Sequence, residues 1–143
     1  MSLGADLAGA LGELRRHAES TLIDTFTAYE PAGYGPLDPL TGEKPRLFTV
    51  RETGVMGKVK GLGGLAGSDQ EAMFVTIAGV RYRVMQAGLH LPLSALVPSP
   101  GWEYECTAVG ELSDQSLLGR RYRVIEAPAK TWATARRLDV IEV

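Results

Sequence analysis

Side chains able to act as metal ligands or nucleophiles are few and scattered along this sequence. The chain has two histidines, His17 and His90, and one cysteine, Cys106. No two of them show the short spacing of a zinc site. Cys106 alternates with Glu103 and Glu105, and nearby carboxylates raise the pKa of a thiol, which makes it a poor nucleophile. The pattern predicts a small buried cysteine and no metal site.

No glycine-rich segment of the sequence has the flanking elements of a phosphate-binding motif. The segment GLGGLA at 61–66 matches the GxGxxA form of a dinucleotide-binding motif. That motif follows a buried strand and opens a helix, and the flanking residues favour neither. No GxSxG motif and no P-loop frame occur. We therefore expect a protein that is not an enzyme and binds no cofactor.

One string occurs twice, as GVRYRV and GRRYRV, forty residues apart. Alternate side chains of a strand point to opposite faces, so Tyr82 shares a face with Val84, and Tyr122 with Val124. We expect these four side chains in a core, and the arginines beside each tyrosine on a solvated outer face. Two copies are too few for a repeat architecture, which favours one strand pattern used twice.

The arginines also raise the hypothesis of a small barrel that binds single-stranded nucleic acid. Such a surface needs cations and aromatic rings together, whereas the alternation separates the tyrosines from the arginines. Lys58 and Lys60 are better placed for non-specific contact with a nucleic-acid backbone. The formal charge of −2 gives no general attraction to polyanions.

The elements that would position these residues form one domain over 1–143. Apolar residues recur at helical spacing over 5–23 and predict an amphipathic N-terminal helix. Over 24–143, short stretches rich in β-branched and aromatic residues alternate with Gly/Pro turns, which predicts a small antiparallel β-barrel. Residues 54–71 contain six glycines and no periodicity, so we expect a long flexible inserted loop. The predicted fold class is α+β, mainly β.

Charge is distributed unevenly along the chain. Residues 1–43 carry a net charge of −5 and residues 44–143 a net charge of +3. Like copies are therefore expected to meet head to tail, in a contact that closes into a ring when the rotation allows. The candidate contact residues are the acidic Glu13, Glu19 and Glu30 and the basic Arg121, Arg136 and Arg137. With neither a signal peptide nor a long apolar run, we expect no membrane association.

The order of several motifs resembles the head-closure, or stopper, proteins in the head-to-tail connector of tailed actinobacteriophages of the siphophage type. The motifs are DTFT after the helix, DPLTG at 38–42, LPLSA at 91–95, DQSLLGRRYRV at 114–124, and the C-terminal TWATARRLDVIEV. The resemblance covers nearly the whole chain. The glycine-rich 54–71 segment and SPGWEYECTAV depart from the usual pattern.

The resemblance implies a virion protein of the phage neck that is assembled in the host cytoplasm. It implies a homo-oligomeric ring, dodecameric in the family, that contacts the portal-bound adaptor and the tail terminator or tail tube protein. The ring would help to retain packaged DNA and contact it non-specifically. The residues expected to face the channel or a partner are Gly54, Lys58, Lys60, Gly63 and Gly64. The alternatives are an adaptor or tail-terminator subunit of the same neck, and the nucleic-acid-binding module.

Overall fold

The structure, a computed structural model, describes residues 3–61, 73–77, 79–84, 86–129 and 133–143, without the side chains of 3–6, 73–77, 80–84 and 86. Its helix and strands are α1 (Leu3–Ser20), β1 (Asp24–Tyr34), β2 (Arg46–Gly61), β3 (Met73–Ile77), β4 (Val80–Val84), β5 (Gln86–Leu91), β6 (Glu103–Ala108), β7 (Arg121–Glu126) and β8 (Arg136–Glu142). A 3₁₀ turn, Gln115–Leu117, precedes β7.

Six strands form one antiparallel sheet that closes on itself. The strand order is β1-β2-β5-β8-β7-β6, and β6 pairs back with β1. β3 and β4 form a separate two-stranded hairpin around Gly79, whose φ is 79°. The mainly β fold and the N-terminal helix predicted from the sequence are therefore confirmed.

Alternate residues of the six strands fill the inside of the closed sheet. The largest fully enclosed side chains are Phe26, Leu89, Leu91, Tyr104, Cys106, Leu138 and Val140. Tyr122 and Val124 lie among them, 3% and 2% exposed, on the face where the alternation placed them. The side chains of Tyr82 and Val84 in β4 lie outside the described part of the chain, so their burial stays a prediction.

The loop expected over 54–71 is wrong for residues 54–61, which belong to β2. A Cβ atom at Gly57 would lie 2.9 Å from the carbonyl oxygen of His90, so this glycine allows β5 to approach β2 closely. Gly54, with a φ of 66°, lies where the register between β1 and β2 shifts. These glycines serve strand geometry and not flexibility. Gly63 and Gly64 lie outside the described residues.

The ribbon formed by β1 and β2 is longer than the closed sheet. β1 pairs with β6 only over residues 25–29, whereas it pairs with β2 as far as Tyr34. The ribbon therefore extends past its neighbours as an arm. Apolar side chains are exposed on this arm, with Tyr34 66%, Leu37 56% and Leu40 95% exposed. We call residues 30–50 the ribbon arm.

The apolar stripe of α1 is only partly buried. Leu11 is buried, whereas Leu7 and Leu14 are 46% and 55% exposed. The Nε of Arg15 donates a hydrogen bond to the carbonyl oxygen of Ala133 at 3.0 Å, which ties the helix to the segment before β8. Among the described residues, no helix combines the length and the apolar character needed to cross a membrane.

Candidate functional site

A buried carboxylate, that of Glu103, lies on the outer face of the sheet beneath three arginines. In the pairing of β6 with β7, Arg123 is directly opposite Glu103, and Arg121 is opposite Glu105. Opposite charges at such cross-strand positions attract. Arg46, at the start of β2, reaches the same carboxylate. Strand register therefore brings three cations from two parts of the chain onto one acidic side chain.

The contacts within this group are short. The Oε2 of Glu103 accepts hydrogen bonds from the Nε and Nη2 of Arg123 at 3.1 and 3.0 Å. The Nη1 of Arg46 lies 3.6 Å from the same oxygen, and the Nε of Arg121 lies 3.0 Å from Oε1. The Glu103 side chain is only 4% exposed, so these cations compensate a charge that has been withdrawn from water.

Two aromatic rings complete the group, which we call the Glu103 cluster. The guanidinium carbon of Arg121 lies 4.3 Å from the centre of the Tyr29 ring and 4.7 Å from that of Phe48. Arg121 Nη2 is buried without a hydrogen-bond partner, and the negative ring faces take the place of water around this cation. The Tyr29 hydroxyl donates to Glu105 at 3.1 Å. Burial and this carboxylate raise the pKa of Tyr29.

The Glu103 cluster changes two expectations from the sequence. Arg121 and Arg123 do lie on the face opposite the core, but they are bound to a buried carboxylate and are not simply solvated. The alternation also separated the arginines from the tyrosines of their own strands. The structure instead brings Arg121 against Tyr29 and Phe48, which come from β1 and β2. Cations and aromatic rings therefore do share one surface.

A second group, of three cations around one histidine, lies on the outer face of β2, β5 and β8. Lys58 pairs in register with His90, and His90 with Arg137, so the three residues stand side by side across the three strands. Lys60 lies two residues along β2 on the same face. We call these four residues the basic row. Within the described residues, no salt bridge joins Lys58, Lys60 or Arg137 to a carboxylate.

A cleft of about 340 Å³ adjoins the basic row at Arg137. It lies between α1 and the start of β8. Its lining residues are Arg15, Leu93, Pro128, Ala129, Ala133, Ala135, Arg136 and Arg137. Three of these are arginines and none is acidic. The surface from β2 across β5 and β8 to this cleft is therefore predominantly basic.

Sequence comparison gives the chain a family. Residues 14–141 match DUF6093, described as a family of unknown function. The chain belongs to DUF6093. No curated protein matches this DUF6093 chain in sequence. The matched range runs from within α1 to within β8, so the Glu103 cluster and the basic row both lie inside the region that defines DUF6093.

The three acidic residues predicted at a subunit contact differ in their surroundings in this DUF6093 structure. Glu13 and Glu19 are exposed on α1. Glu30 lies on the ribbon arm, where its Oε2 is 3.4 Å from the Nε of Arg51. Only the two helix residues are therefore free of a salt bridge within the described chain.

The three basic residues predicted at a subunit contact also differ in their surroundings. Arg121 belongs to the Glu103 cluster, and Arg136 is half-buried, with its Nη2 donating to the carbonyl oxygen of Leu93 at 3.3 Å. Arg137 alone is exposed, and it lies in the basic row beside Lys58. Residues predicted separately as loop and as contact residues thus meet on one face.

The residues first considered for chemistry are placed apart. Cys106 is buried in the core, and burial, together with the charge of Asp24, raises the pKa of its thiol. His17 is exposed in the last turn of α1. Over the described ranges, no three His, Cys, Asp or Glu side chains form a group that could hold a metal ion.

Sequence reasoning missed Glu103, Tyr29, Phe48 and Asp24. Asp24 is buried at the start of β1, where its Oδ1 accepts hydrogen bonds from the Gly110 amide, at 2.9 Å, and from the Ser113 hydroxyl. It therefore fixes the turn between β6 and β7. The one sequence signal for the cluster was the pair of patterns Glu-x-Glu in β6 and Arg-x-Arg in β7, whose opposite charges suit neighbouring strands. Predicting the cluster from it required knowing that β6 and β7 pair in this register.

We expect His90 to make the stability of the fold depend on pH. Burial and the charges of Lys58, Arg137 and Lys60 lower the pKa of His90 to about 4. Between pH 6.5 and 4 the unfolded chain binds a proton that the folded chain rejects. Above pH 6.5 this contribution to stability is complete, and it is lost as the pH falls towards 4.

Urea unfolding of the wild type and of His90→Gln at pH 7 and pH 4.5 measures this effect. The difference in unfolding free energy between the two proteins should shrink at the lower pH by about 1 kcal/mol, a value reduced for the partial exposure of the ring. A difference that is constant or grows on acidification would contradict the assignment.

Proposed function

We propose that this protein is a structural subunit of a head-closure ring in the neck of a tailed phage. In that position it joins the portal and adaptor to the tail and helps to retain packaged DNA. The proposal rests on the resemblance of the ordered sequence motifs to stopper proteins. A small barrel with an N-terminal helix, the architecture implied by that resemblance, is compatible with the closed six-stranded sheet.

One structural observation supports an assembling subunit above others. Large apolar side chains are exposed on two elements outside the closed sheet's core, with Leu7 and Leu14 on α1 and Tyr34, Leu37 and Leu40 on the ribbon arm. Exposed apolar groups that cluster in this way mark surfaces for other proteins. The core of the closed sheet does not need either element for its own packing. We therefore assign α1 and the ribbon arm to contacts with neighbouring subunits or neck proteins.

A small barrel that binds single-stranded nucleic acid is the second candidate function. It is favoured by the Glu103 cluster, in which Arg46 and Arg121 lie against the rings of Tyr29 and Phe48. Cations beside aromatic rings are the components of a base-stacking surface. Here, however, Glu103 binds the arginines and Arg121 covers both rings, so the cluster leaves little open aromatic surface. We rank this function below the connector role.

The direct test is the location of the protein in phage particles. Deletion of its gene should yield heads that package DNA but carry no tails and then lose the DNA. Electron microscopy of wild-type particles should place the protein in a ring below the portal. An adaptor or tail terminator would occupy an adjacent ring of the same neck. Absence of the protein from purified virions would overturn the connector function.

Leu40→Asp tests the assignment of the ribbon arm. Because Leu40 is 95% exposed, the change should alter the unfolding free energy by no more than about 0.5 kcal/mol. Incorporation into particles should nevertheless fail, since a charge replaces an apolar contact. Leu112→Asp is the matched control, because Leu112 is 96% exposed in the turn after β6. If Leu40→Asp complemented the gene deletion as well as Leu112→Asp does, the ribbon arm would not be part of the interface.

A further inference from the structure

The basic row contrasts with the other arginines on the outside of the sheet. Arg46, Arg121 and Arg123 contact Glu103, Arg51 contacts Glu30, and Arg120 contacts Glu142. Each of these cations forms a salt bridge within the chain, although the three arginines at Glu103 share one carboxylate. Lys58, Lys60 and Arg137 form no such salt bridge in the part of the chain that the structure describes. The Nζ of Lys58 donates a hydrogen bond to the Thr21 hydroxyl at 3.1 Å, a neutral partner that leaves the charge of the lysine uncompensated.

Among the residues that the structure describes, few acidic side chains pair in register with the row. Asp139 of β8 and Lys60 of β2 both pair with Gly88 of β5, so the two residues lie in the same cross-strand row. Asp139 is the one carboxylate at the register positions of the row. Beside β8, Arg137 also lines the cleft, together with Arg15 and Arg136. The positive charge therefore extends over three strands and is not a single isolated site.

The spacing of the cations suits an extended anionic polymer. Neighbouring strands lie about 4.8 Å apart, so the Cα atoms of Lys58 and Arg137 are separated by roughly 10 Å. Lys58 and Lys60 are separated by roughly 7 Å along β2. A small anion would contact one or two of these side chains, whereas a chain of phosphates can contact all three. Lysine and arginine are also the residues that contact nucleic-acid phosphates most often.

The outward residues at these register positions are Lys58, Lys60, Gly88, His90, Arg137 and Asp139. None is a large apolar or aromatic residue of the kind that anchors protein–protein interfaces. This composition favours a nucleic-acid backbone over an acidic protein surface such as the exposed Glu13 and Glu19 of a second copy. It provides no base-stacking ring, so contact with the backbone alone is expected, without sequence preference.

We infer that the outer face of β2, β5 and β8 binds the phosphodiester backbone of duplex DNA through Lys58, Lys60 and Arg137. The inference deepens the proposed neck function, on which the choice of packaged duplex DNA as the polymer rests. The site is separate from the ribbon arm and from the Glu103 cluster. Contacts made through the ribbon arm and DNA binding can therefore be lost independently.

The experiment is fluorescence anisotropy of a short labelled DNA duplex with the full-length protein over a range of salt concentrations. Three phosphate contacts predict a slope of about −2.7 for log K against log salt concentration. The double variant Lys58→Gln, Arg137→Gln should reduce the slope to about −0.9 and weaken binding at least tenfold in low salt. The single variant Lys60→Gln should reduce the slope by about 0.9.

Arg51→Gln with Arg120→Gln is the matched control, because it removes the same charge from residues that form salt bridges elsewhere. It should retain most of the wild-type slope. Equal losses in the two double variants would overturn the site and show a general charge effect. Binding of polyglutamate as tightly as DNA would also overturn it, in favour of an acidic protein partner. Failure of DNA binding with normal incorporation into particles would reject this inference and leave the neck function standing.

Discussion

Glu103→Ala should lower the free energy of unfolding by about 3 kcal/mol, at the lower end of the range for breaking a buried ion pair. The substitution removes the only carboxylate bound to Arg121 and Arg123 in the described residues. Their cationic groups would then remain against the sheet without compensation. Because these arginines are about one third exposed, they can partly return to water, which places the effect at that lower end. Equilibrium urea unfolding monitored by circular dichroism gives the value.

Glu105→Ala is the matched control for this prediction. Glu105 lies two residues along β6 on the same outer face, and accepts a hydrogen bond from the Tyr29 hydroxyl. It is half-buried, so its loss should cost about 1 kcal/mol, the usual contribution of one hydrogen bond. If Glu105→Ala proved as destabilising as Glu103→Ala, the Glu103 cluster would not be the centre of this outer face.

Tyr122→Ala should destabilise the fold by about 3–5 kcal/mol, the range for deletion of a large aromatic side chain from a core. The ring is 3% exposed and packs inside the closed sheet. The substitution leaves a cavity that the surrounding strands cannot collapse to fill, because each is paired on both sides within the closed sheet. Thermal and urea unfolding of the purified variant provide the measurement.

Tyr34→Ala is the corresponding control, since it deletes the same side chain from a position that is 66% exposed on the ribbon arm. Its effect on stability should stay near the 0.5 kcal/mol typical of surface changes. Comparable losses at the two positions would show that Tyr122 does not lie in the core. The pair of variants therefore tests the burial of Tyr122 and not only the general cost of removing tyrosine.

The prediction of elements from the sequence succeeded where one local pattern dominates. The apolar spacing in the first twenty residues predicts α1, and the alternation in β7 places Tyr122 and Val124 inside. Side-chain direction in a strand follows from backbone geometry, so parity needs no knowledge of the neighbouring strand. The expectation of mobility over 54–61 failed for the opposite reason. Gly57 is explained by the closeness of the His90 carbonyl in β5, which is not a property of its own segment.

The sequence by itself determined the mainly β class, the helix, the inward side of β7 and the lack of local catalytic motifs. Tertiary structure alone decided which charged side chains, among the described residues, form salt bridges and which do not. Arg121 and Arg137 are both strand arginines in the sequence, but register places Arg121 beside Glu103 and Arg137 beside His90. Electrostatic interactions fall off with distance and depend on burial, so the role of an arginine is set by its neighbours across strands, which only the closed sheet specifies.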